Sequence, residues 1–267
     1  MKRDYINRVV EACPLEYYLS ANDGVRVHWP FRMQPVHEVK QSYRDDADSY
    51  IVDSSFADES ITNMDTLDKA ESVNADMALL EDVYLDYDKT VTKLLEGFEI
   101  ADSHGFNGQI LAPLQEPHVE CWKEIGEPDH IAIGGVKDKP ASEKVRITQH
   151  VRDVVGGDVW VHGLGYGATP EVIQAVRNNP NLLDSMDAQT PFATANDNRV
   201  WPGTERMSPV ALRSLANLVE ACRRMTLEFT DNPDAERHPL LQKAIDRANE
   251  GDDRDAAMYL RRYDRAE

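Results

Sequence analysis

Paired cysteines are missing from this chain. Cys13, Cys121 and Cys222 lie far apart, with no CxxC pair and no zinc-site spacing. That excludes a disulfide scaffold and predicts reduced, buried thiols in a cytosolic protein. Long apolar runs are also missing. None approaches the roughly 20 residues that span a bilayer, and residues 1–15 carry charge without the apolar centre of a signal peptide. The expectation is a cytoplasmic protein with no membrane partner. No GxGxxG follows the first predicted strand, so a dinucleotide fold has no support. No internal repeat or low-complexity segment is visible.

Positive charge is scarce. Lys and Arg total 29 against 48 Asp and Glu, a net charge of -19. Such a balance disfavours holding nucleic acid by charge alone. The acids are scattered in short clusters such as Asp45-Asp46 and Asp252-Asp253, which suits a salt-adapted surface better than an acidic tail. The imbalance is uneven: from Arg199 onward 12 basic residues face 13 acidic ones, so nearly all the excess lies before it. If any part touches phosphates, the tail is the better candidate.

What is present is a core and an alternation. The 267 residues, 41% of them hydrophobic, suffice for one large domain. That length is near the roughly 250 residues of a (β/α)8 barrel. Strands are predicted at 25–29, 49–52, 76–80, 109–113, 130–133, 158–162 and 182–184. Helical stretches are predicted at 87–101, 142–155 and 170–178, the last opened by Thr169-Pro170 as cap and first turn. Strands alternating with helices predict a parallel sheet. The fold class expected is α/β, a (β/α)8 barrel with one strand missed near the N-terminus, and an open doubly wound sheet is the alternative. The division expected is a barrel over 1–200 and a helical segment over 201–267 packed on it. That segment contains a long amphipathic helix over 208–229 and further helices over 240–262. Arg213, Arg223, Arg224, Arg261 and Arg262 are its candidates for phosphate contact.

The predicted strands run into Asp53, Glu81-Asp82, Leu114-Gln115, Gly134-Gly135, Gly163-Leu164-Gly165 and Asp184. In a parallel barrel such ends converge on one mouth. A single carboxylate there is more often a helix cap than a catalyst, and Asp184 with Ser185 has that reading too. The histidines at 104, 118, 130 and 162 read as surface or core residues rather than ligands.

In this order the segments resemble the tRNA-guanine transglycosylases. Residues 52–56 (VDSSF) are similar to that family's DSGGF, with serine at 55 and one residue fewer before Phe56. Residues 76–82 (DMALLED) resemble SDIVMAFDE, 110–115 (ILAPLQ) a segment ending in VQG, and 132–136 (AIGGV) the family's AVGGL. Residues 162–170 (HGLGYGATP) resemble LMGVGTP, and 182–199 (LLDSMDAQTPFATANDNR) the archaeal nucleophile segment. The resemblance spans about 49–199. It implies exchange of guanine for a 7-deazaguanine base in a nucleic acid, through a covalent sugar–enzyme intermediate. It puts Asp184 as nucleophile, with Asp187 ranked second, and Asp53 as acid and base. Asp82, Gln115, Gly134, Gly135, Val136 and Gly165 would bind the base, Asp82 accepting from its N1–H and 2-amino group. Neither metal nor cofactor is implied.

Neither the zinc site nor the added RNA-binding domains of the tRNA enzymes are visible. The resemblance is therefore most like the viral and phage branch that modifies DNA, placing the protein in host cytoplasm if viral. Three other readings stay open: the same exchange on tRNA, a metal-dependent barrel hydrolase using Asp53, Asp82, His162 and Asp184, and a non-catalytic partner subunit. The sequence leaves the oligomeric state open, a homodimer among the options.

Overall fold

A computed structural model describes residues 2–20, 29–55, 58, 60–189, 191, 199–200, 204–205 and 210–226, with isolated positions at 243, 247, 255, 258, 259 and 262. Eight parallel strands close into a barrel: β1 (Glu16–Ser20), β2 (Phe31–Pro35), β3 (Ser49–Asp53), β4 (Met77–Leu79), β5 (Gln109–Leu114), β6 (His130–Ile133), β7 (Trp160–Gly163) and β8 (Ser185–Ala188). β8 returns to pair with β1, Glu16 opposite Ser185 and Leu19 opposite Ala188. The helices are α1 (Lys2–Ala12), α2 (Gln41–Arg44), α3 (Asn63–Ser72), α4 (Tyr87–His104), α5 (His118–Glu124), α6 (Ala141–Val155), α7 (Pro170–Asn178) and α8 (Val210–Met225). The chain is therefore a (β/α)8 barrel, as its alternation predicts. Among the described residues no helix is long and apolar enough to cross a membrane.

Local chemistry sets the helix starts. Thr169 accepts a hydrogen bond from the Val172 N–H, with Pro170 at the first turn of α7. Thr62 and Asp65 form a reciprocal capping box on α3. Side chains alternate along each strand, so one set fills the barrel and the other meets the helices. Tyr18, Met33, Ile51, Leu79, Leu111 and Ala132 form the inner cluster. Leu19, Leu114, Ile131, Ile133, Val161 and Met186 belong to the larger layer under the helices.

Two sequence expectations shift. The last strand, predicted at 182–184, begins only at Ser185, so Asp184 precedes β8 instead of ending it. The strand predicted at 25–29 lies outside the described residues except for Trp29, and β1 and β2 stand on either side of it. α8 packs on α1, α7 and β1, so the last described helix covers the seam between first and last strands. Most of 240–262, with Arg261, lies outside the described residues, as does the Arg213 side chain. Arg223 is buried and ion-paired with Glu220, and Arg224 is half-buried on the same carboxylate, so neither presents a bare cation to phosphate. Arg262 is exposed beside the Tyr259 ring.

Candidate active site

The C-terminal strand ends open into a cavity of about 390 Å³, the size of a small-ligand site. Asp53, Asp82, Gly134, Gly135, Val136 and Gly165 line it, as the sequence predicts, together with Asp187. Asp184 does not.

Asp53 closes β3, and its Oδ1 accepts the Ser55 N–H at 2.9 Å. Ser55 holds a left-handed φ of 63°, a conformation glycine takes more readily. Burial drives the Asp53 carboxyl up to about 6, partly offset by the Ser55 N–H and reinforced by the Asp187 charge. Asp82 is likewise pushed up to about 6 by burial, against the lowering effect of its hydrogen bond from Gln115. Its neighbour Glu81 turns away: it accepts the Asn63 N–H and pairs with Lys93 at 3.1 Å. Of the two adjacent acids, only Asp82 reaches the cavity.

Gln115, expected to touch the base, is instead fully buried beneath the mouth and does not line the cavity. Its Nε2 donates to Asp82 Oδ2, and its Oε1 accepts the Leu85 N–H at 3.1 Å. This amide explains the double glycine. A Cβ at Gly134 would sit 2.8 Å from Gln115 Nε2, and one at Gly135 would sit 2.4 Å from Gln115 Oε1, with φ at +66° adding strain. Glycine lets backbone approach a flat ligand closely, but the closer constraint here is the amide packed against both positions. His118 hydrogen-bonds the Gly134 carbonyl at 2.9 Å, its pKa lowered by burial, so a neutral imidazole pins this strand end.

Asp187 rises from β8 into the cavity. Its Oδ1 accepts the Gly165 N–H at 2.7 Å and lies 3.3 Å from His162 Nε2. Lys144, its pKa lowered by burial, steadies that loop by donating to the Gly165 carbonyl.

Asp184 lies at the opposite, N-terminal end of the barrel. Its Oδ2 accepts Arg152 Nη2 at 2.6 Å and the Val161 N–H at 2.7 Å. Arg152 is satisfied there by the carbonyls of Gly156, Val159 and Leu182 as well. The assignment of Asp184 as nucleophile is therefore corrected. It sits before the strand in a structural clamp, whereas Asp187, three residues on, reaches the mouth. Alternation within Ser-Met-Asp-Ala carries the signal: Met186 and Ala188 join the outer core, leaving Ser185 and Asp187 to the inside.

The chain matches no family model and no curated protein. Residues the sequence reading passed over also line the cavity, among them Ser20, Tyr84 and Lys137. Tyr84 donates to Asp138 at 2.9 Å, which holds the loop after β4 against the loop after β6. Nothing in the local sequence around these residues marks them as cavity-lining positions. Among the described residues no three His, Cys, Asp or Glu side chains form a group that could hold a metal ion.

Proposed function

We propose that this protein exchanges guanine for a 7-deazaguanine base in a nucleic acid, with DNA the favoured polymer, through a covalent ester on Asp187. The observation that carries the reading is Asp82, held from behind by the buried Gln115 amide and lining the same cavity as Asp53 and Asp187. An ionised carboxylate can accept from the N1–H and 2-amino group of a guanine-type base, and the Gly135 N–H can donate to its O6, while Gln115 acts on the base only through Asp82. Val136 would offer its carbonyl to the 7-substituent. Tyr84 lines the cavity, and Leu85, 64% exposed, lies beside Gly135.

The chemistry follows from the two remaining carboxyls. An oxygen of Asp187 attacks C1′ of the sugar. The C1′–N9 bond breaks, its electron pair goes to the departing base, and that base takes a proton from Asp53. The incoming base then loses its N9 proton to Asp53, N9 attacks C1′, and the ester bond breaks to restore the Asp187 carboxylate. A carboxyl raised to about 6 suits Asp53 to both halves, since near neutrality it gains and loses a proton at little cost. A target base in duplex DNA must be flipped out to enter the cavity.

The test is a labelled-base exchange assay on DNA and on tRNA, with nucleoside mass spectrometry of both polymers. Incorporation into DNA supports the reading. Incorporation into tRNA alone moves the substrate, and hydrolysis abolished by chelator replaces the reading with a metal-dependent hydrolase.

A further inference from the structure

Beneath the mouth lies a histidine that the exchange reaction as described does not use. His162 is fully buried inside the barrel, stacked on Trp160 at 5.8 Å with 15° between planes, and met edge-on by Tyr18 at 5.8 Å. It stands directly opposite Ser185 on the neighbouring strand. Its Nδ1 lies 2.6 Å from Ser185 Oγ and its Nε2 lies 3.3 Å from Asp187 Oδ1. Ser185 and Asp187 are two residues apart on one strand, so their side chains share the inner face and one imidazole bridges both.

We propose that His162 is a positioning residue for Asp187, and that Ser185 sets its tautomer; its catalytic consequence rests on the base-exchange reading above. A neutral imidazole has one donor nitrogen and one acceptor. A carboxylate only accepts, so the nitrogen facing Asp187 must carry the hydrogen. Nδ1 is then an acceptor, and the Ser185 hydroxyl donates to it. Trp160 and Tyr18 flank the ring on two sides. His162 and the Gly165 N–H thus both engage Oδ1 of Asp187. With Oδ1 so engaged, Oδ2 is the attacking atom in this proposal. A carboxylate free to rotate would present either oxygen at varying angles, and such misplacement slows the chemical step.

The arrangement is tested by long-range 1H–15N correlation spectra of histidine-labelled protein, with the His162 signals assigned by their loss in His162→Gln. The wild type should show a hydrogen on Nε2 and none on Nδ1, and Ser185→Ala should weaken that preference. In parallel, His162→Leu should lower kcat by about 10- to 100-fold, the worth of one hydrogen bond to a charged group. KM for the free base should stay unchanged, and His162→Gln, which keeps a side-chain N–H, should recover much of the loss. A wild-type imidazole protonated on Nδ1, or on both nitrogens, overturns the proposal whether or not any variant folds. So does wild-type kcat in folded His162→Leu. Should the wild type exchange no base at all, the function fails instead, and the imidazole spectrum alone decides whether Ser185 and Asp187 set the tautomer of His162.

Discussion

The two ends of this barrel use the same side chain for opposite purposes. At the N-terminal end Asp76 and Asp184 precede β4 and β8 in matching clamps. Arg44 donates through Nη2 to Asp76 and through Nε to the Asn74 carbonyl; Arg152 does the same to Asp184 and to the Leu182 carbonyl. In each clamp the aspartate also accepts the N–H of the second residue of the preceding strand, Tyr50 or Val161. Each arginine lies 32 residues before its aspartate. The clamps therefore repeat between the two halves of the barrel, a repeat carried by two residues and hidden by everything between them. At the mouth Asp53 and Asp82 have no ion pair among the described residues, and burial raises both. A carboxylate beside a guanidinium is anchored and inert. One sunk among apolar groups and other acids keeps its reactivity, which suits the mouth of such a barrel to the proposed chemistry.

The largest test of this contrast is a pair of isosteric substitutions. Asp187→Asn should lower base exchange by roughly four to six orders of magnitude, as loss of a covalent nucleophile does. Asp184→Asn should leave the rate per folded molecule near wild type, measured by scaling exchange to the folded fraction. Asp53→Asn should cost about 10²–10⁴-fold in kcat. The same change should stabilise the protein above pH 6, because a carboxyl with a raised folded pKa penalises the folded state once ionised. That gain, on the order of 1–2 kcal/mol after allowance for residual solvent, should shrink as pH falls from about 6 and vanish only below about pH 3, where both states are protonated.

Stability separates the ends in the reverse sense. Asp184→Ala strands the Arg152 guanidinium, whose side chain is only 7% exposed, and should cost about 2–4 kcal/mol in urea unfolding. Asp76→Ala should cost less, roughly 1 kcal/mol, because its pair with Arg44 is more exposed, at 38% and 18%. Equal losses would break the account of the two clamps. The smallest effect expected is on free-base binding. Asp82 must be ionised to accept two donors, so affinity should rise as pH climbs through about 6 and fall below it. A flat titration between pH 5 and 8 would remove Asp82 from base recognition.

Much of this was legible in the residues. The strands at 49–53, 109–114 and 130–133, and the helices at 141–155 and 170–178, stand where alternation and capping put them. Asp53, Asp82 and the double glycine follow from strands whose ends are marked. The final strand was harder, because Leu-Leu-Asp-Ser-Met-Asp-Ala supports two frames three residues apart. Leu182 and Leu183 are buried in either frame, so hydrophobicity does not separate them. Pairing does: Glu16 must meet Ser185, a contact between distant ends of the barrel sequence. The role of Gln115 in demanding glycine at 134 and 135 is likewise long-range, and so is the Ser185–His162–Asp187 chain.

The central claim is that the reacting carboxylate belongs to Asp187 at the mouth and not to Asp184 beneath the barrel. It is met most directly by trapping the enzyme on its nucleic acid under denaturing conditions and locating the sugar ester by peptide mass spectrometry. The account predicts an adduct on Asp187 in the wild type, its retention in Asp184→Asn and its loss in Asp187→Asn. An adduct mapped to Asp184, or one that survives in Asp187→Asn, would contradict it.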